Sequence, residues 1–405
     1  NFLEEDNHTL ADLMAFYKAS KKCFDDDKEF NVEAHKFVVQ LQSGDERCLK
    51  IWKKICGLSS QGFNEIYRRL DATIEECGES FYNPYISPLL EELEQRGIVT
   101  EDGGAKVIFI EKSPIPLIVR KRDGGIGYDS TDVAAIYYRL NILRSDRLIY
   151  ITDSGQEFHF HLIEQAAKRA GWLDEKLHRV DHMGFGVILG PDGKKFKTRS
   201  GETVKLADLL DEAKSKAKER IVERMGGNEE GKDTGSKLSE AEIDHAAEVM
   251  GIACVKYFDL KQNRVSAYSF AYDKMLDPKG NTGIYLLYAY ARIQNIIKKS
   301  GKTSEDITKL SHEHVAKIED PSERKLGIAL LKFPETIEAI LEDLMLNRLT
   351  DFLYELCGIF NEFYKKCRVV GDPKEVDRLI MCEATRLVMK KCFDLLGMNT
   401  LDRIQ

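Results

Sequence analysis

The sequence predicts an α/β region followed by an all-α region, and three observations carry that reading. Between residues 79 and 225, short runs rich in β-branched and aromatic residues alternate with amphipathic stretches, the pattern of strands alternating with helices. Residues 238–405 show apolar side chains only at the three-and-four spacing of helices, as in AAEVMGIACVKYFDL (246–260), TGIYLLYAYARIQNIIKK (282–299), ERKLGIALLKF (323–333) and DRLIMCEATRLVMKKCFDLLG (377–397). A helical bundle is expected there. Between the two regions GGNEEGKDTGSK (226–237) is glycine-rich and polar, has no apolar periodicity, and reads as a linker.

Taken in order, residues 1–78 read as charged helices, since FYKASKKCF, FNVEAHKFVVQLQ, CLKIWKKIC and FNEIYRRLD each space apolar residues by three and four. They suggest a helical insertion or cap, with His8 and His35 as ordinary surface residues. Residues 87–95 follow as a helix, with Ser87 as N-cap and Pro88 at its first position. KVIFIE (106–111) and IPLIVRK (115–121) are expected strands and DGG (123–125) a turn. RLIYIT (147–152) is another strand, QEFHFHLIEQAAKRAG (156–171) a helix, 180–189 a mostly apolar run, and KLADLLDEAKSKAKERI (205–221) an amphipathic helix. Strand followed by helix, repeated, implies parallel pairing in a Rossmann-like sheet with ligands at the strand C-terminal ends.

With 405 residues, 43% of them hydrophobic, the chain can build two or three cores. Its net charge of -8 opposes binding a polyanion through overall charge, so any nucleic-acid contact must be local. From Lys194 to Arg224 ten Lys/Arg stand against six Asp/Glu, a local surplus of four. Nine scattered cysteines without C-x-x-C spacing suggest reduced thiols in the cytoplasm and no Cys-type zinc site. No apolar run approaches the roughly 18 residues of a membrane span. The start NFLEEDNHTL lacks a signal peptide's basic and apolar parts as well as an initiator Met, which points to a fragment.

Four stretches carry candidate chemistry. In PDGKKFKTRSGE (191–202), four cations, two hydroxyls and flanking glycines suit a phosphate, although composition alone leaves a solvated hairpin open. In GYDSTDVAAIYYRL (127–140), Tyr128 stands just before an expected N-cap and Asp132 in the first turn of a helix whose apolar face is Val133, Ile136, Tyr137 and Leu140. A carboxylate there is favoured by the helix dipole and either faces a cation or caps the helix. His159 and His182 are open to both a structural and a site role. NRVSAYSFAYDKMLD (263–277) interleaves cations with aromatics, which suits single-stranded nucleic acid or a bundle core.

The run HMGFGVILGPDGKKFKTRSGETVKLADLLDEA (182–213) and the segment YSFAYDKMLDPKGNTGIYLLYAYARI (268–293) resemble arginyl-tRNA synthetase, a class I aminoacyl-tRNA synthetase. The resemblance implies a helical connective insertion (1–78), the second half of a Rossmann-like catalytic domain (79–225) and a helical anticodon-binding domain (238–405). Phe196 to Ser200 then occupy the place of the KMSKS signature in a degenerate form. Lys195, Lys197, Thr198, Arg199 and Ser200 are the implied catalytic residues. Tyr128, Asp132 and Gln156 match the family's arginine contacts, with His159, His182 and Phe185 beside ATP. Asn263, Arg264, Tyr268, Phe270, Tyr272, Asp273 and Lys274 are implied tRNA contacts. A guanidinium carries five donors in a rigid plane, so Asp, Tyr and Gln together can accept arginine and exclude lysine.

The implied partners are L-arginine, ATP with Mg2+, and tRNA(Arg), in the cytoplasm without a membrane and, in eukaryotes, with membership of a multi-synthetase complex. The expected activity is arginine–tRNA ligation through an arginyl-adenylate. No local motif names a metal ligand. The family's HIGH motif is absent from these residues; HMGF stands too close to Lys195 to be it, and by resemblance HIGH would precede Asn1. Two rivals stay open: a non-catalytic tRNA-binding or scaffolding fragment, and another Rossmann enzyme such as a dehydrogenase, which lacks support because G-x-G-x-x-G is missing.

Overall fold

The computed structural model describes residues 9–190, 192–194, 204–226 and 238–401. The expected catalytic residues Lys195, Lys197, Thr198, Arg199 and Ser200 lie outside them, as does nearly all of the expected linker. Two compact units emerge, Asn1–Tyr150 with Gly155–His182, and Ile151–Ser154 with Met183–Gln405.

The first unit opens with α1 (Leu10–Asp26), α2 (Lys28–Gln42) and α3 (Glu46–Arg69). Side-chain oxygens of Thr9, Asp27 and Asp45 cap them by accepting from first-turn N–H groups. Neither α2 nor α3 buries a residue, and Met14, Tyr17 and Val39 stand exposed. The core begins at Tyr82. Helix α4 (Asn83–Gln95) starts earlier than expected, because Pro84 takes the first-turn site; Pro88 falls inside the helix and Ser87 caps nothing, its hydroxyl instead accepting from Arg120 at 3.1 Å.

Strands β1 (Thr100–Asp102), β2 (Ala105–Ile108) and β3 (Leu117–Arg120) form an antiparallel meander, paired Thr100↔Val107 and Ile108↔Leu117. This corrects the expected parallel pairing of KVIFIE and IPLIVRK, which are joined by a stretch too short to hold a crossover helix. Gly103 and Gly104, both at positive φ, make the tight β1–β2 turn. Helix α5 (Tyr128–Tyr137) continues into a π turn, Tyr138–Ile142. Strand β4 (Arg147–Asp153) and helix α6 (Glu157–Arg169) stand where they are expected, and strand β5 (Arg179–Phe185) takes up the first part of the apolar run at 180–189. Strands β4 and β5 run parallel: the Arg179 N–H donates to the Asp146 carbonyl at their starts, and the Ser154 hydroxyl to the Phe185 carbonyl at their ends. Ile86, Leu93, Val119, Val133, Ile136 and Ile163 are fully buried between the helices and strands.

In the second unit β6 (Ile188–Leu189) pairs in parallel with β7 (Tyr268–Ser269). Helices α7 (Leu206–Gly226) and α8 (Glu240–Leu260) cross so closely at Gly251 that a Cβ there would stand 2.8 Å from the Lys214 nitrogen. Lys214 and Lys218 pair across this crossing with Asp244 and Lys214 also with Glu248, so part of the local cationic surplus is neutralised at once. After α9 (Tyr272–Met275), the bundle is built from α10 (Gly283–Lys299), α11 (Ser304–Glu313), α12 (Pro321–Leu331), α13 (Phe333–Asp343), α14 (Asn347–Lys366) and α15 (Glu375–Leu395). Its core is aromatic, with Tyr257, Tyr290, Phe360, Phe363 and Phe393 enclosed. The Tyr257 hydroxyl donates to Asn281 and approaches the Thr350 carbonyl, as burial requires. No described helix is long and apolar enough to cross a membrane.

Candidate active site and nucleic-acid interface

Gly127 stands at the N-cap of α5, and its extended backbone lets Tyr128 open the helix. Tyr128 is therefore the first helical residue rather than the one before the cap, and Asp132 lies in the second turn; Asp129 holds the first-turn place expected for Asp132. Two short bonds seat this end on β3: the Ser130 hydroxyl donates to the Val119 carbonyl at 2.5 Å, and the Asp129 carboxylate accepts from the Ile118 N–H at 2.9 Å. With its start fixed, α5 presents Asp132 toward α6. There His159 Nε2 lies 2.7 Å from Asp132 Oδ2, and Nδ1 of the same ring lies 3.5 Å from Asp129 Oδ1. All three side chains are largely enclosed, at 29%, 17% and 15% exposure for Asp132, His159 and Asp129. Burial lifts the Asp129 carboxyl above the ordinary carboxylate range, against the Ile118 hydrogen bond and His159, which pull it down.

The Tyr128 ring meets His159 edge-on at 5.0 Å and remains 67% exposed. Gln156, exposed, stands at the N-cap position of α6 without a side-chain capping bond, three residues before His159. Of the residues expected near substrate, the first unit thus brings Tyr128, Asp132 and His159 together and sets Gln156 one turn away. His182 stacks on Phe160 at 5.6 Å, and the same ring meets His159 edge-on and Tyr150 at 4.4 Å. Arg139 lies over both Tyr150 and Tyr82 and donates to the Tyr82 hydroxyl. Asp129 was not singled out from the sequence. Its signal, an acid three residues before another at a helix start, is shared with any capping acid.

In the second unit Phe185 is 44% exposed at the end of β5. After it the stem of the cationic loop is stitched to residues 264–270. The Gly186 N–H donates to the Arg264 carbonyl at 2.7 Å, the Phe270 N–H to the Leu189 carbonyl at 2.8 Å, and a Cβ at Gly186 would stand 2.9 Å from the Ser266 carbonyl. The stem ends in a turn in which the Gly190 N–H donates to the Lys194 carbonyl and Gly193 is left-handed at φ +72.

That stitching revises the expected tRNA surface. Phe270 is 4% exposed and sits edge-on to Phe258 and Tyr272 in the core, so it offers no face to a base. The Arg264 guanidinium donates to the carbonyls of Gly184, Leu344 and Asp343 and braces the fold instead of facing outward. Tyr268 is partly buried with its hydroxyl on Asp259 at 2.6 Å; Tyr272 packs on the core, and burial lifts its phenol to about 12. Asn263 turns its carbonyl oxygen to the Val265 N–H. Asn263, Asp273 and Lys274 are exposed. The cause is strand periodicity: Tyr268 and Phe270, two apart in and beside β7, point to one inward face.

A cleft of about 680 Å³ opens in the bundle. Tyr285, Tyr288 and Arg292 line it from α10, and Asn361, Lys365 and Lys366 from α14. Asn361 ties the walls together by donating to the Tyr285 hydroxyl at 2.9 Å and accepting from Arg292. The spacing 285, 288, 292 is one helix face, legible in the sequence but indistinguishable there from core.

Residues 3–272 match the family model described as tRNA synthetases class I (R), catalytic domain, and residues 286–404 match that of the DALR anticodon binding domain. Among curated relatives, the chloroplastic/mitochondrial arginine–tRNA ligase of Arabidopsis thaliana is 48% identical over 98% of this chain and 60% of its own length. The cytoplasmic arginine–tRNA ligase of the same plant is also 48% identical, over 98% of this chain and 66% of its own length. The crystal structure of arginyl-tRNA synthetase from Plasmodium falciparum superposes with a TM-score of 0.83 at 37% identity, over 100% of this chain and 65% of that one. The chain thus spans about two thirds or less of the length of each of these proteins.

Proposed function

We propose, on the premise that this chain belongs to the class I arginyl-tRNA synthetase family, that it supplies the arginine site, the phosphate-binding loop and the anticodon interface of an arginine–tRNA ligase. The observation that carries the reading is the Asp132 carboxylate of α5, 29% exposed and 2.7 Å from His159 of α6, with exposed Tyr128 against the same histidine and exposed Gln156 one turn before it. A guanidinium fits that group, because one carboxylate accepts two of its donors in a plane while the phenol and amide take others.

In the reaction the arginine carboxylate attacks the α-phosphorus of ATP and the bond to the pyrophosphate oxygen breaks, giving arginyl-adenylate. A terminal ribose hydroxyl of tRNA(Arg) then attacks the carbonyl carbon and AMP leaves. Lys195, Lys197 and Arg199, with the Thr198 and Ser200 hydroxyls, meet the charge that builds on the phosphoryl oxygens; upstream, the backbone is fixed at Gly186 and Leu189. His182 and Phe185 serve ATP. Magnesium would come with ATP, whose phosphates chelate it, and would offset charge on them. The family reaction also uses a HIGH motif that these residues do not contain.

The cleft lined by Tyr285, Tyr288 and Arg292 suits an unpaired base with its phosphates, and takes over from Phe270 and Arg264 as the anticodon contact. Asn263, Asp273 and Lys274 border that interface, with Tyr268 and Tyr272 as its support. Nine free thiols suit a reducing compartment such as the cytoplasm, and in a eukaryote the family reading adds a multi-synthetase complex as partner. Pyrophosphate exchange by the protein at its relatives' length tests the reading: exchange should require arginine and ignore lysine, and equal exchange with both would overturn it.

A further inference from the structure

We infer that His159 is a positioning residue for arginine, acting through Asp132, and not a contact of ATP. This rests on the reading of Asp132 as the guanidinium acceptor. The carboxylate of Asp132 has no hydrogen to give while it pairs with a cation, so the 2.7 Å contact to His159 needs a donor at Nε2. That bond engages Oδ2 and stops the carboxylate from rotating. Oδ1 and the second lone pair of Oδ2 then hold a fixed plane, which is what a planar two-donor fork requires. An acid free to rotate would lose that match and would serve an ammonium as well as a guanidinium.

The imidazole is oriented from both sides. Asp129 Oδ1 lies 3.5 Å from Nδ1, and Asp129 is itself held by the backbone N–H of Ile118, so β3, the start of α5 and α6 converge on one ring. Tyr128 closes the outer side edge-on at 5.0 Å, and Phe160 meets the ring edge-on at 5.1 Å. Nothing in this arrangement turns a His159 nitrogen outward: both face carboxylates of α5. A histidine meant for the adenine or phosphates of ATP would keep one nitrogen available.

The two ring nitrogens can be separated by substitution. In Gln the amide nitrogen reaches the position of Nε2, and in Asn that of Nδ1. In the protein at its relatives' length, His159→Gln should keep the arginine KM within about threefold of wild type, whereas His159→Asn and His159→Ala should raise it about tenfold or more, with the ATP KM little changed. Asp132→Asn serves as the control. If it leaves the arginine KM unchanged, the reading of the site fails; if it raises that KM while all three His159 variants behave as wild type, the inference alone fails. A larger change in the ATP KM than in the arginine KM, or rescue by Asn instead of Gln, also overturns it. Should the Ala variant melt early, the Gln and Asn pair decides, since both are polar and smaller than the ring.

Discussion

Arg264 and Gly184 are joined by a 2.7 Å bond from guanidinium to carbonyl, and the Arg264 carbonyl in turn accepts from Gly186, so one residue clamps the chain on both sides of Phe185. Charge-assisted bonds of this kind contribute roughly 1.5–3 kcal/mol. Arg264→Ala should therefore lower stability by about 2 kcal/mol in urea unfolding and reduce the activation rate, while tRNA affinity at fixed salt changes little. A lysine in its place should not rescue, because one ammonium cannot span three carbonyls. Unchanged stability with weakened tRNA binding would restore Arg264 to the tRNA surface.

The bundle cleft makes a separate forecast. Tyr288→Ala should weaken tRNA binding by ~1–3 kcal/mol if a base stacks there. Lys365→Ala with Lys366→Ala should weaken it for all tRNAs and reduce the slope of affinity against salt by about one unit per lost phosphate contact. Filter binding across a salt series reads both, and a slope unaffected by the lysines would place the phosphates elsewhere.

Within the bundle, Arg378 and Glu323 form an enclosed pair at 2.8 Å, with side-chain exposures of 11% and 1%. Arg378 also reaches Asp372 and the Arg368 carbonyl. Arg378→Met leaves Glu323 buried without its partner, and should cost about 3–5 kcal/mol in denaturant unfolding. Adding Glu323→Gln, whose amide oxygen can still accept from the Glu319 and Asp320 N–H groups, should recover much of that loss; a double variant no better than the single one would show that packing, and not the unpaired charge, is responsible.

Legibility in the sequence followed how local each signal was. The run at 147–171 announced β4 and α6 because alternation and helical spacing are read within a few residues, and the helical half was equally plain from its continuous apolar faces, save for the short strand β7 that it was not expected to hold. Strand β1 left no trace, since Thr100–Asp102 is polar and wholly exposed. The antiparallel course of β2 and β3 depended on a connection too short for a helix, a feature that strand patterns do not carry. At the site, Asp132 and Tyr128 were found by resemblance, whereas Asp129 was invisible because its partner His159 is distant in sequence. Interleaved cations and aromatics at 263–277 suggested a nucleic-acid surface, yet the same spacing arises when a short strand turns Tyr268 and Phe270 inward and an arginine braces three carbonyls. Composition cannot separate the two; only the partners can. Likewise α7 and α8, on either side of 226–237, cross at Gly251, a contact no linker composition reveals.

The most direct test is the substrate dependence of pyrophosphate exchange in Asp132→Asn, in the protein at its relatives' length. The amide keeps the shape of the carboxylate and loses its charge. A charge-assisted pair contributes roughly 1.5–3 kcal/mol, so the arginine KM should rise about 10–150-fold while the ATP KM stays close to wild type. Equal changes for the two substrates, in a variant that melts like wild type, would contradict the assignment of Asp132 to the arginine guanidinium.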